Sequence, residues 1–306
     1  MVYKRVVEYE GFGNCLEITD EKITLLVTLD FGPRIIRFSF VGGENIMFED
    51  KARVFSASSP EMDALYGSGA TWYIYGGHRL WISPENMPKT YYPDNDPVAY
   101  SLTENGAIFT PPAQKQNGYQ FQIELAVDSE SQVSVTHRVT NCGSTAVTLA
   151  PWGVSPLSAG GTLIAPQPTA DTYTQPNRYI TLWPKAKIHD KRLTWMDRYF
   201  ALRQDKDNTD YFKIGMNSQH GFALYFNHGD LFIKRFHVNP NGNYSDGGMA
   251  FETYTNPLFL EVESLGELVT LNPGEHTEHT EYWSLQKAQL PSLTDEALDT
   301  FCQKNL

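Results

Sequence analysis

An all-β chain, folded as a large antiparallel β-sandwich, is what this sequence predicts, and three observations carry the prediction. Polar and apolar residues alternate with a period of two in one segment after another. Clusters of Gly, Pro, Asn and Asp separate those segments at short intervals. A helical period is nearly absent, which leaves a sandwich or barrel as the architecture that buries the apolar faces.

The strands follow in order along the chain. Residues 23–29 and 34–40 flank the Gly32-Pro33 turn, and Gly42-Gly43 closes the second. Phe121, Ile123, Leu125 and Val127 share one face of a strand, with Gln122 and Glu124 on the other. Val133, Val135, His137 and Val139 repeat the pattern after the turn residues Asp128-Ser129-Glu130-Ser131, so a hairpin is expected. Further strands are expected at 147–150, 211–216, 221–226, 231–236 and 280–285. One helix is expected at the C-terminal end (292–306), with Ser292 as cap and Leu293, Ala297, Leu298 and Phe301 as its apolar stripe. No repeat or linker divides the chain, so residues 1–306 are expected to form a single domain. Two loop-rich insertions, 52–97 and 165–208, interrupt the strands and are the places where function is expected.

Composition narrows the activities. A formal net charge of −12 argues against a nucleic-acid partner, which needs concentrated Lys and Arg. No apolar run approaches the roughly 18 residues of a membrane span, and the N-terminal segment lacks the apolar centre of a secretory signal. Three widely separated cysteines, Cys15, Cys142 and Cys302, fit neither a disulfide framework nor a metal site, so a cytoplasmic location is expected. Seventeen Tyr, 17 Phe and 6 Trp suit both a β protein and recognition of a sugar.

Three segments bear candidate chemistry. In residues 258–266, Glu261 and Glu263 stand two apart on an apolar strand, so both side chains point to one face. The first insertion holds Trp72, Tyr75, Gly76-Gly77, His78, Arg79, Trp81 and Glu85, aromatic planes beside groups able to bind hydroxyls. Residues 241–248, with Asp246, form a tight turn whose spacing is not that of a calcium loop. Lys213 and Lys234 lie within strands and are expected to point into a concave face. His276 and His279 are expected on the surface as poor joint ligands, and His137 is expected as a hydrogen-bonded core residue.

Taken together, the segments Asp30-Phe31-Gly32-Pro33-Arg34-Ile35-Ile36, Gly42-Gly43-Glu44-Asn45, residues 76–85, Lys213-Ile214-Gly215, Tyr244-Ser245-Asp246-Gly247-Gly248, and residues 253–268 with the trailing 272–285 resemble the galactose mutarotase-like superfamily. The similarity is to an aldose 1-epimerase-like bacterial branch, and order and spacing hold over nearly the whole chain. The resemblance implies a large sandwich whose concave face binds carbohydrate without a cofactor or metal. It also implies general acid–base catalysis, in which a strand-end glutamate takes the anomeric proton and a histidine protonates the ring oxygen. Glu263 matches that glutamate better, with Glu261 as the alternative and as a neighbour able to raise its pKa. Where the family has its acid histidine, this chain has Ala150-Pro151-Trp152-Gly153, so His78 is expected to serve as the acid and Trp152 as a stacking platform. Arg79, Trp81, Glu85, Trp152, Glu261, Lys213, Lys234 and Asp246 complete the expected sugar contacts. Three activities follow from these residues: an aldose 1-epimerase-like isomerase first, then a non-catalytic sugar-binding or sensing protein, then an oligosaccharide lyase or hydrolase.

Overall fold

Alternation of side chains along each strand gives this chain two sheets that bury their apolar faces against each other. The computed structural model describes all 306 residues. A ten-stranded sheet runs in the spatial order Leu193–Trp195, Tyr199–Arg203, Thr162–Pro166, Phe222–Asn227, Asp230–Phe236, His276–Lys287, Val133–Asn141, Tyr119–Val127, Gly106–Thr110 and Ala99–Leu102. A seven-stranded sheet runs Ile180–Leu182, Phe212–Met216, Phe251–Thr255, Leu260–Leu265, Val147–Leu157 and Val269–Leu271, with Arg79–Ser83 added along Val147–Leu157. A separate four-stranded sheet is formed by Tyr3–Tyr9, Gly13–Thr19, Ile23–Thr28 and Ile35–Phe40. Pairing within these sheets is antiparallel, as short turns between consecutive strands require. The architecture is the expected antiparallel β-sandwich.

The core lies between the two large sheets. Leu260 and Val262 from one share a cluster with Val133, Val135, Phe232 and Trp283 from the other. The hairpin read from alternation forms as expected, Tyr119–Val127 pairing with Val133–Asn141 so that Ile123 faces His137. Two strands are longer than expected. The strand read as 147–150 runs to Leu157 through Pro151 and Pro156, because it is flanked by Arg79–Ser83 and Leu260–Leu265 over that length. The strand read as 280–285 extends over His276–Lys287.

The terminal helix spans Asp295–Asn305, and its cap is Thr294 rather than Ser292. A cap must immediately precede the first turn to reach its free N–H groups, and Thr294 Oγ1 accepts from Ala297 N at 3.3 Å. A short helix, Pro60–Tyr66, escaped sequence reading although Ser59 caps it and Pro60 opens it.

Candidate functional site

Strand register puts the candidate residues in rows on the outer face of the seven-stranded sheet. Arg79 pairs with Val154, Val154 with Glu263, Glu263 with Glu252, and Glu252 with Gly215. The next row toward one end is Trp81, Trp152 and Leu265. Toward the other end it is Glu261, Tyr254 and Lys213. Glu261 and Glu263 therefore share a face, as their spacing demands.

Both insertions rise over this face and wall a cleft of about 350 Å³. The first contributes Trp72, Arg79, Trp81, Glu85 and Tyr91; the second contributes Trp183 to Ala186. Gly76 and Gly77 let the first insertion turn into the sheet. Both have positive φ, and a Cβ would meet Phe48 O at 2.2 Å and Ile35 O at 2.3 Å respectively.

Of the two strand carboxylates, Glu261 is the one that faces the cleft. Its Oε1 accepts from Arg79 Nη1 and Nη2, each at 3.1 Å. The guanidinium lies 4.0 Å from the Trp81 ring centroid and 5.3 Å from that of Trp72. Burial pushes the Glu261 carboxyl up to about 7, Arg79 opposing the shift and Glu263 adding to it. At the rim, the exposed Glu85 accepts from Tyr91 Oη at 2.6 Å.

Glu263, the residue expected as base, lies beneath the cleft rather than on its surface. It is 0% exposed, and its Oε2 accepts from Trp152 Nε1 at 3.0 Å and Lys213 Nζ at 3.2 Å. Trp152 thus has its indole edge tied down while its ring lines the cleft. Lys213 Nζ also stands 2.8 Å from Glu252 Oε2, an ion pair without hydrogen-bond alignment. It sits 4.5 Å from the Trp152 ring centroid and 4.6 Å from that of Trp183. Burial works against the ammonium, but Glu263 and Glu252 outweigh it and the Lys213 pKa is raised. Glu252, which sequence reading did not select, has its pKa raised to about 8 by burial, Lys213 opposing. The signal available for it was its position in Phe251-Glu252-Thr253, an acid in an otherwise buried strand.

His78 and Lys234 do not reach the cleft, which corrects both expectations. His78 lies one residue before Arg79 and so faces inward, 0% exposed. There it joins a polar network between the sheets with Lys234, His137, His279, Glu281, Ser155 and Ser264. His137 Nδ1 is 2.9 Å from the His279 carbonyl, which only accepts, so Nδ1 holds the proton. His137 Nε2 then accepts from His78 Nε2–H at 2.6 Å, and His78 Nδ1 accepts from Ser155 Oγ at 2.8 Å. Ser155 Oγ in turn accepts from Lys234 Nζ at 3.1 Å. On the other branch Ser264 Oγ donates to Glu281 Oε1 at 2.6 Å, so His279 Nε2–H donates to Ser264 Oγ at 2.7 Å.

Lys234 pairs with Glu281 Oε1 at 2.9 Å, and Trp283 Nε1 donates to Glu281 Oε2 at 2.8 Å. Gly153 admits this carboxylate, since a Cβ there would lie 2.1 Å from Glu281 Oε1. Burial is the first cause that holds His78 well below the usual imidazole range and His279 at about 3. His279 is therefore a core residue, not the surface residue expected, while His137 is the core histidine expected. His276 is exposed.

His78, His137 and Glu281 place their ligand atoms within 4.8 Å of one another, a grouping that invites a metal. Their protons and lone pairs are already committed within the network, and the Lys234 ammonium occupies the same carboxylate. A dication there would compete with that ammonium, so the geometry favours a structural network. Asp246 sits outside the cleft in a turn of positive φ, its side chain 3.4 Å from Ser83 Oγ and its carbonyl accepting from Thr181. It is part of a tight turn and does not line the cleft in which it was expected.

Of the motifs that bear the resemblance, residues 76–85, 213–215 and 253–268 supply the cleft, whereas the early ones, 30–36 and 42–45, are scaffold. Arg34 holds Asp94 of the first insertion through both Nη atoms, at 2.5 and 3.0 Å. Asn45 Oδ1 accepts from Phe38 N and Met47 N.

No protein-family model and no curated protein sequence matches the chain. Solved structures do. A candidate aldose 1-epimerase from Klebsiella pneumoniae superposes with a TM-score of 0.62 at 12% identity, over 99% of this chain and 86% of that one. A galactose mutarotase-like protein from Lactobacillus casei superposes with a TM-score of 0.55 at 12% identity, over 89% of this chain and 100% of that one. The fold is galactose mutarotase-like. A TPR-domain containing protein from Parabacteroides distasonis also matches, with a TM-score of 0.62 at 12% identity over 90% of this chain. This chain spans 48% of that protein's length. At such identities the likeness concerns the galactose mutarotase-like fold alone, and function rests on the site.

Proposed function

We propose that the cleft binds a sugar and that the protein is an aldose 1-epimerase-like isomerase, with Glu261 in place of Glu263 as the base. The observation that supports this most is a carboxylate with a pKa raised to about 7, set between aromatic planes at the cleft surface. In this reading the rings of Trp81 and Trp152 stack on the apolar faces of the pyranose, and Arg79 orients both Glu261 and a hydroxyl. Glu261 accepts the proton of the anomeric hydroxyl as the C1–O5 bond breaks, and the Lys213 ammonium gives a proton to O5. The C1 aldehyde turns about C1–C2, and both transfers reverse to close the ring as the other anomer.

Lys213 takes the acid role because the cleft lining contains no imidazole. A donor held far above the working pH is a weak acid, so the acceleration it lends is expected at about 10²-fold. The same lack of an imidazole supports a second reading, a sugar-binding protein without turnover. Saturation-transfer NMR on a panel of aldoses separates the two. Anomer exchange faster than in buffer supports the isomerase, binding without faster exchange supports the binding protein, and neither binding nor exchange overturns both.

A further inference from the structure

The cleft is larger and more varied along its length than one ring requires. Its two ends belong to strands four steps apart across the sheet, from Arg79–Ser83 to Phe212–Met216. At about 4.8 Å per step that is roughly 19 Å. The two ends also differ in depth. Trp72, Trp81 and Trp152 at the first are 1%, 8% and 3% exposed, which makes it the more closed end of the cleft, beside Arg79 and Glu261. At the second, Trp183 is half-buried, and Tyr211 is 45% exposed.

The outer end has an order of its own. Trp183 follows the strand Ile180–Leu182, which pairs with Phe212–Met216, and that pairing sets the indole over Lys213. Tyr211 stands beside Tyr254 with ring centroids 6.1 Å apart, and Lys185 Nζ lies 5.4 Å from the Tyr211 ring centroid. Partly exposed aromatic planes held beside neighbouring strands are what a second pyranose stacks on, and the adjacent ammonium and phenol offer hydrogen bonds to its hydroxyls.

Resting on the sugar-binding reading above, we propose that the second insertion builds an outer subsite, and that the preferred ligand is a reducing disaccharide or longer. Its reducing ring occupies the closed end beside Glu261, and its second ring lies on Trp183 and Tyr211. The free aldose fills only the inner half.

The test is a calorimetric titration with the common aldoses, each against reducing disaccharides ending in that aldose, such as glucose against maltose, cellobiose and lactose. At least one disaccharide is expected to bind ten-fold or more tighter than its own reducing-end sugar. Tyr211→Ala, at an exposed position, is expected to bring that ratio to about 1. Trp183→Ala provides a second reading of the same ratio, with thermal melts to confirm folding. Equal affinities in the wild type, or a ratio that both variants leave unchanged, overturn the outer subsite and leave the sugar-binding reading standing. Failure of every sugar to bind overturns both.

Discussion

The two faces of the seven-stranded sheet each bury charge, and they do so in opposite ways. Inward, Lys234, Glu281, three histidines and two serines form a network in which no buried side-chain polar atom is left without a hydrogen-bond partner. Outward, Arg79, Lys213, Glu252, Glu261 and Glu263 form a network that is incompletely matched. Seven buried side-chain polar atoms in the protein lack a hydrogen-bond partner, and five belong to the outward side: Trp72 Nε1, Arg79 Nε, both Glu252 oxygens (one of them ion-paired with Lys213) and Glu263 Oε1. Buried polar groups in a scaffold are normally satisfied, so unmatched ones gathered at and just beneath the cleft set this face apart from the inward one. The matched side resembles chemistry in the sequence, since it holds the histidines, yet its role is to lock two sheets together. Period-two alternation decides which residue falls on which side: His78 turns in, and Arg79 turns out.

Breaking each side should fail differently. Glu261→Gln is expected to lower anomer exchange by 10²- to 10⁴-fold while leaving the melting temperature nearly unchanged. Glu281→Gln should do the reverse. It strands the buried Lys234 ammonium and is expected to cost about 3–5 kcal/mol of stability by denaturant titration. Replacing both members of the pair, as Lys234→Met with Glu281→Leu, should recover only the part due to the stranded charge, because Trp283 Nε1 and Ser264 Oγ still lose their acceptor.

The pH responses should separate as well. His279 is held at about 3 against a usual value near 6.5. The unfolded chain therefore binds more protons between those values, and stability should be full above about pH 6.5 and fall as pH drops toward 3. His78 and His137, also depressed, act in the same direction. Glu261 is shifted the other way, so its folding contribution declines as pH rises from the ordinary carboxylate range to about 7. Melting temperature against pH checks the sign of both. The smallest effect lies far from either network: Thr294→Ala should cost about 1 kcal/mol, read as fraying of the terminal helix by circular dichroism.

Much of this arrangement was legible in the sequence. Alternation identified the sandwich, and the i, i+2 spacing put Glu261 and Glu263 on one face. The aromatic run of the first insertion marked one wall of the cleft. What sequence could not supply was depth. Glu261 and Glu263 are equivalent by spacing, and only the indole of Trp152 and the ammonium of Lys213 above Glu263 make it the buried one. His78 next to two glycines read as a loop residue at a site, yet Arg79 opens the strand there and fixes its neighbour inward. Glu281 was hidden for a related reason: in residues 276–283 the exposed Glu278 and Tyr282 interleave with buried His279, Glu281 and Trp283. A polar residue on the core side of a strand has no compositional signature until its partners on other strands are known.

The most direct measurement is the rate of anomer exchange by saturation-transfer NMR from pH 5 to 9, in the wild type and in Glu261→Gln. The wild-type rate should rise with pH to a plateau with a midpoint near 7, following Glu261, and the variant should stay at the buffer rate throughout. A variant that exchanges anomers as fast as the wild type would contradict the assignment of Glu261 as the working carboxylate of the cleft.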